Sequence, residues 1–158
     1  MGQIPIGDDG RFAGYASLFN RLDSGGDMVM PGAFAKSLAR RGDCIRLLFQ
    51  HDPKEPVGTW ETIAEDGHGL FVEGRLVPGV PRAEALKRLI GQGALDGLSI
   101  GFRTVKATRE AGARKLWQID LFEISIVTFP MMEAARIAPA SLSTGAAIVA
   151  ATDVLRNR

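Results

Sequence analysis

The alternation of apolar and polar positions predicts a chain of short strands with two helices between them. Six segments have the composition of strands and end at turn-forming residues, namely 12–19, 44–50, 57–64, 70–77, 95–107 and 115–129. Helical spacing of apolar residues occurs at 32–41 and at 81–91, where Pro81 suits a first turn. Residues 131–138 are predicted to form a short helix or coil.

Hairpin-connected strands with only two isolated helices predict the fold class α+β. We expect a small antiparallel β-barrel with a few flanking helices, because two helices are too few for the crossovers of a parallel sheet. Pro53 is expected to end the ladder of the strand at 44–50. We expect residues 1–139 to form one domain and residues 140–158, which carry few large side chains, to form a C-terminal tail.

The composition excludes several classes of protein but does not identify a function. The 158 residues are 46% hydrophobic and 23% charged, which fits one globular domain with a real core. With 19 basic and 18 acidic residues, the net charge of +1 argues against a nucleic-acid-binding module. One cysteine and two histidines exclude a disulfide framework and all but exclude a structural zinc site. No apolar run reaches the roughly 18 residues of a membrane span and no signal peptide is evident, so we expect a soluble intracellular protein.

Ser99 is the first candidate for chemistry. In a strand it shares one face with Gly97 and Gly101, which leaves open space above its hydroxyl for a peptide backbone. The segment also matches G-x-S-x-G, but no histidine follows Ser99 and no strand–turn–helix context surrounds it, so the nucleophile elbow of α/β-hydrolases is excluded. The alternative is a strand in which glycine allows close packing and the serine is incidental.

His51 is the second candidate. It follows an apolar strand and begins a polar turn, a half-buried position that suits a general base. The alternative is a structural histidine at a strand end. His68 lies between two glycines in a predicted hairpin turn, where we expect it to be solvated. Cys44 is a weak nucleophile candidate, because in one strand it and His51 would point to opposite faces.

Glu123 is the third candidate, because it is a lone acid on a strand face that is otherwise largely apolar. Strict alternation places it on the face of Ile119 and Leu121, with Asp120 on the other. Burying an unpaired carboxylate costs several kcal/mol, and a histidine N–H is a suitable partner. The alternative is an edge glutamate facing solvent, in which case Asp52 or Asp120 would be the acid.

Four segments agree in order and spacing with one known family. They are GYASLF with the following D-x-x-x-D and PGAFAKSL, then LLFQHDPKEPVG, then LDGLSIGF, then FEISIVTFP. Over about residues 10–139 the chain resembles the prohead (capsid maturation) serine proteases of tailed phages and gene transfer agents, a family similar in fold to herpesvirus assemblin. The resemblance implies that His51 is the catalytic histidine, Ser99 the nucleophile and Glu123 the third member. In assemblin the third member is a histidine, but His68 precedes Ser99 and cannot take that place.

The resemblance also implies what the protein does. It implies a serine endopeptidase with a Ser-His-Glu triad that cleaves scaffolding protein, or the scaffold segment of the major capsid protein precursor, and often itself. It would act without a cofactor, inside the immature capsid in the cytoplasm of the bacterial host, and is compatible with a homo-oligomer. Backbone N–H groups near residues 101–103 are the candidate oxyanion donors. We expect the tail to be self-cleaved near 141–146; alternatively, residues 147–155 dock on the barrel or on a second copy.

Two other functions remain open at this point. A catalytically silent capsid-assembly scaffold of the same fold would not need Ser99, His51 and Glu123 within hydrogen-bond reach of one another. A ligand-binding barrel would need a closed apolar pocket.

Overall fold

The computed structural model describes residues 5–138, which form seven strands and two α-helices. The helices are α1 (Ala35–Arg41), followed by a single 3-10 turn (Gly42–Cys44), and α2 (Pro81–Gly91). The strands are β1 (Arg11–Leu18), β2 (Asp27–Val29), β3 (Arg46–Phe49), β4 (Asp52–Glu65), β5 (Gly69–Leu76), β6 (Gly97–Glu110) and β7 (Ala113–Val127). Residues 131–138 form turns and isolated bridges. The predicted tail lies outside the described residues.

All seven strands belong to one sheet in the order β1-β5-β4-β3-β7-β2, and β6 also pairs with β7. Four pairs are antiparallel, but β2 and β3 both run parallel to β7. The mostly antiparallel α+β fold is thus confirmed, and the expectation of purely antiparallel pairing is corrected. Parallel pairing needs a long connection between the two strands. Here the elements that lie between β2 or β3 and β7 along the chain form that connection, instead of a single crossover helix.

The sheet curls until its two ends nearly meet. Isolated bridges join Gly97 of β6 to Arg136, and Gly14 of β1 to Ile137. Gly14 is required there, because a Cβ atom would lie 2.2 Å from the carbonyl oxygen of Arg136. The segment at 136–137 therefore links β6 to β1 and turns the open sheet into a barrel-like shell.

The interior of this shell is a packed core. The core includes one leucine from each of four strands, all at most 1% exposed, namely Leu47, Leu70, Leu98 and Leu121. Phe34, the residue before α1, and Leu86 and Ile90 of α2 are also buried there. Each such side chain contributes about 1.5–3 kcal/mol to folding. Side chains fill the interior, which argues against the ligand-binding barrel. Among residues 5–138, no helix has the length and apolar character to span a membrane.

Candidate active site

His51 is carried by a two-residue turn between β3 and β4. Gln50 and His51 both have positive φ, at 54° and 58°, as a type I′ hairpin turn requires, and Phe49 pairs with Asp52 across it. The ladder therefore resumes at Asp52, which corrects the expectation that Pro53 ends it. Pro53 and Pro56 lie at the start of β4, where the register is irregular and proline is tolerated.

Neither residue of this turn is a glycine, so the turn needs support from outside. The Gln50 backbone N–H donates to the Ile126 carbonyl at 3.0 Å, and its side-chain amide donates to Thr128 Oγ1 at 2.7 Å. In return, the Thr128 backbone N–H donates to Gln50 Oε1 at 3.2 Å. A left-handed conformation costs a non-glycine residue about 1–3 kcal/mol and persists only where its surroundings hold it. These hydrogen bonds hold the turn, and with it His51, against the C-terminal end of β7.

The structure brings the three candidate residues into one hydrogen-bonded chain. His51 Nε2 lies 3.0 Å from Ser99 Oγ, and His51 Nδ1 lies 2.5 Å from Glu123 Oε1. In this arrangement the Ser99 hydroxyl donates to Nε2, and the Nδ1–H donates to the carboxylate. The Ser99 residue is 5% exposed, whereas the side chains of Glu123 and His51 are 13% and 41% exposed. Protection from solvent thus increases from the histidine toward the serine.

Glu123 reaches this chain because β7 contains a bulge. Gly101 pairs with Glu123, but the next residue of β6, Phe102, pairs with Leu121, so Phe122 has no partner across the ladder. The extra residue reverses the alternation, and Leu121 and Ile124 both enter the core. The prediction that Glu123 shares a face with Ile119 and Leu121 is therefore wrong. Glu123 lies opposite Gly101 on the face turned away from the core.

Both glycines beside Ser99 make room for specific groups. A Cβ atom on Gly101 would lie 2.1 Å from Glu123 Oε1, and one on Gly97 would lie 2.9 Å from Pro130 Cδ. The space that a side chain would take at each of these two glycines is thus already occupied. At Gly101 it is occupied by the carboxylate that contacts His51.

Sequence reasoning missed Ser125, which is fully buried directly opposite Ser99. Its hydroxyl donates to Glu123 Oε2 at 2.6 Å and accepts the backbone N–H of His51 at 3.0 Å. The only sequence signal was its place two residues after Glu123, which in a strand puts both on one face.

The environment of His51 shifts its protonation equilibrium. The hydrogen bond to Glu123 raises the pKa of His51 above the ordinary 6.5; burial opposes this rise, and the negative charge of Glu123 adds to it. A carboxylate at Nδ1 also fixes the tautomer that leaves Nε2 free to accept a proton from Ser99.

The other candidates lie elsewhere. Asp52 accepts the backbone N–H of Lys54 at 2.9 Å. Cys44 is exposed in the 3-10 turn before β3, and His68 lies in the turn between β4 and β5.

Asp120, the rival acid, is buried beneath three arginines. It pairs with Arg40 at 2.5 Å, Arg41 at 3.2 Å and Arg103 at 3.3 Å. Burial pushes the pKa of Asp120 upward, but the hydrogen bond from Arg40 and the three positive charges bring it below its ordinary value. Its oxygens are committed to this cluster, so Glu123 is the acid in contact with His51.

Metal ligands are not grouped in the described part of the chain. Within residues 5–138, no three His, Cys, Asp or Glu side chains are arranged to hold a metal ion.

Solved structures of three viral proteases share this fold. The chain resembles the capsid assembly protease of bacteriophage T4 (TM-score 0.63, 13% identity, 80% of this chain and 89% of that one). It also resembles the proteases of varicella-zoster virus (TM-score 0.57, 13% identity, 94% and 76%) and KSHV (0.56, 13%, 94% and 77%). At this identity the likeness shows a shared, assemblin-like fold.

Sequence comparison identifies the family. The profile of the caudovirus prohead serine proteases matches residues 3–148, and the chain belongs to this family. It is 43% identical over 136 residues to the prohead protease of Enterobacteria phage HK97. That alignment covers 84% of this chain but 60% of the HK97 protein, so the chain spans less than two thirds of that relative's length.

Proposed function

We propose that this protein is a serine endopeptidase in which Ser99 is the nucleophile, His51 the general base and Glu123 the residue that orients His51. The observation that carries the proposal is the unbroken chain from Ser99 Oγ through both imidazole nitrogens to Glu123 Oε1, at 3.0 and 2.5 Å. These contacts have the geometry of an activated nucleophile, in which the base is itself oriented by a third group. Membership in a serine protease family supports the same roles.

The mechanism follows from this geometry. Ser99 Oγ attacks the carbonyl carbon of the scissile peptide bond while its proton passes to His51 Nε2. The tetrahedral intermediate collapses, the C–N bond breaks, and Nε2 returns the proton to the leaving amine. Water then attacks the acyl-enzyme, with His51 taking its proton and delivering it to Ser99 as the ester bond breaks. Glu123 stabilises the imidazolium in both steps, and backbone N–H groups near residues 101–103 are the proposed oxyanion donors.

The proposed substrates are a scaffolding protein or the scaffold segment of the major capsid protein precursor, and the chain itself. Support comes from the relatives, which are a prohead protease and a capsid assembly protease. Cleavage would occur inside the immature capsid in the host cytoplasm. We propose residues 1–139 as the protease domain and 140–158 as a separable tail. Self-association into a homo-oligomer is a separate proposal, tested by the mass of the protein in solution.

The proposal is tested by co-expressing the full chain with the major capsid protein precursor and scaffolding protein of the same virus. Wild type should produce shortened substrates and react covalently with a fluorophosphonate probe, and Ser99→Ala should do neither while remaining folded. Ser17→Ala is the matched control, because Ser17 is also buried but lies in β1, which pairs with β5 and not with β6 or β7.

Two results would overturn the proposal. Processing that persists in Ser99→Ala would exclude Ser99 as the nucleophile. A folded wild type that neither cleaves these substrates nor reacts with the probe would favour the catalytically silent assembly scaffold.

A further inference from the structure

Ser125 joins the two groups that act on Ser99. One hydroxyl contacts Glu123 through its proton and His51 through its oxygen, at 2.6 and 3.0 Å. The Glu123 carboxylate is held at both oxygens, one on Ser125 and the other on the imidazole. We propose that Ser125 is a positioning residue that fixes Glu123 and His51 relative to each other; this inference rests on the function proposed above.

The first part of the argument concerns the acid. A glutamate side chain has three rotatable bonds, and ordering such a chain opposes its fixed placement. The bond to Ser125 Oγ removes this freedom on the side away from His51. Without it, Glu123 Oε2 would be left at a 13% exposed position with no bond from Ser125, and the carboxylate would be free to turn away from Nδ1. An unpaired polar atom in such a place is unfavourable.

The second part concerns the base. The backbone N–H of His51 belongs to a turn of two non-glycine residues with positive φ. Ser125 Oγ accepts that N–H, so the hydroxyl that orients the acid also anchors the residue that carries the base. Errors of about 1 Å in the placement of catalytic groups can cost on the order of 10²-fold in rate. Ser125 therefore controls the alignment of the pair without touching the substrate.

The test measures alignment independently of activity. The chain contains two histidines, so NMR titration of the imidazoles resolves His51 once it is assigned with His51→Gln. The titration uses Ser99→Ala to prevent self-cleavage. We expect His51 to titrate above 6.5 in Ser99→Ala, and to shift toward 6.5 when Ser125→Ala is added, because its contact with Glu123 is loosened. Adding Ser17→Ala, which removes a buried hydroxyl from β1, should leave the titration unchanged.

A kinetic cycle provides the second readout. Ser125→Ala should lower kcat/KM on the order of 10²-fold. It should cost less in a Glu123→Gln background, where the carboxylate is already gone and only the anchoring of the His51 backbone N–H remains to be lost. Equal losses in the two backgrounds, or an unchanged or higher His51 pKa, would overturn the positioning role. Activity that persists in Ser99→Ala would instead refute the proposed function, while the effect of Ser125 on the His51 titration could still be observed.

Discussion

Gly101→Ala should disable the site without disturbing the fold. Gly101 lies in β6 opposite Glu123, and the three atoms nearest to an added Cβ all belong to that glutamate. The Cβ would lie 2.1 Å from Oε1, 2.7 Å from Cδ and 2.9 Å from Cγ. Real Cβ atoms essentially never come within 3.0 Å of a neighbour. The carboxylate oxygen must therefore move by at least about 0.9 Å, the difference between 3.0 and 2.1 Å.

This displacement is large relative to the hydrogen bond that it affects. Oε1 is the atom that contacts His51 Nδ1 at 2.5 Å, and a shift of about 0.9 Å away from it would lengthen the contact toward the limit of a useful hydrogen bond. The catalytic cost should be on the order of 10²-fold or more in kcat/KM, approaching that of removing the acid. Stability should change little, because the atoms that must move belong to the end of one side chain and not to the backbone.

The assay is steady-state cleavage of a substrate peptide beside thermal unfolding of the same samples. Gly91→Ala is the matched control, because its Cβ would meet only Ile6 Cγ2 at 3.9 Å and Gly91 has the helical backbone of α2, which alanine adopts readily. Adding Gly101→Ala to Glu123→Gln should cost little more. Wild-type kcat/KM in a folded Gly101→Ala would refute the argument that Gly101 exists to admit the carboxylate.

Three further predictions concern the acid, the arginine cluster and the tail. Glu123→Gln should lower kcat and move the acidic limb of the pH–rate profile to lower pH, because His51 is active when neutral and its raised pKa depends on Glu123. An acidic limb that stays in place would show that Glu123 does not raise the pKa of His51. Asp120→Asn should lower Tm by several degrees at pH 7. The difference in Tm between wild type and variant should narrow as the pH falls below 3.8, because the lowered pKa of Asp120 stabilises the fold fully only above the pKa of the unfolded carboxyl; a Tm difference that does not narrow would contradict this. Intact-mass measurement should find wild type shortened within 140–158 and Ser99→Ala full length; two full-length proteins after long incubation would remove the self-cleavage prediction.

Local sequence rules predicted the elements that depend on local interactions. The helix predicted at 81–91 is Pro81–Gly91, because the apolar stripe of Leu86 and Ile90 and the proline at its start act within a few turns. The strand that carries Ser99 was also predicted, with Leu98 buried in the core and Ser99 on the other face. The parallel partners of β7 were not predicted, because they come from segments far away along the chain.

The turn that carries His51 could not be read from its residues. A two-residue turn with positive φ at both positions is normally indicated by Asn-Gly or Asp-Gly, and Gln-His gives no such signal. What holds the turn is the exchange of hydrogen bonds between Gln50 and Thr128, which are 78 residues apart. The sequence could predict a histidine at the mouth of the sheet, but the conformation that aims its imidazole depends on the tertiary fold.

The placement of Glu123 shows the same dependence on tertiary structure. A bulge is defined by two strands together, and β7 alone reads as a regular alternation through Phe122. Only pairing with β6 shows that Phe122 is the extra residue and that Glu123 and Ser125 face away from the core. The left-handed turn, the bulge and Gly101, where a Cβ atom would displace the Glu123 carboxylate, all determine how the imidazole of His51 is placed. Each is unfavourable or uninformative by local rules, and such departures are expected where function rather than folding selects the geometry. Their convergence on the Ser99–His51–Glu123 chain is the strongest physical argument that this part of the barrel is built for catalysis.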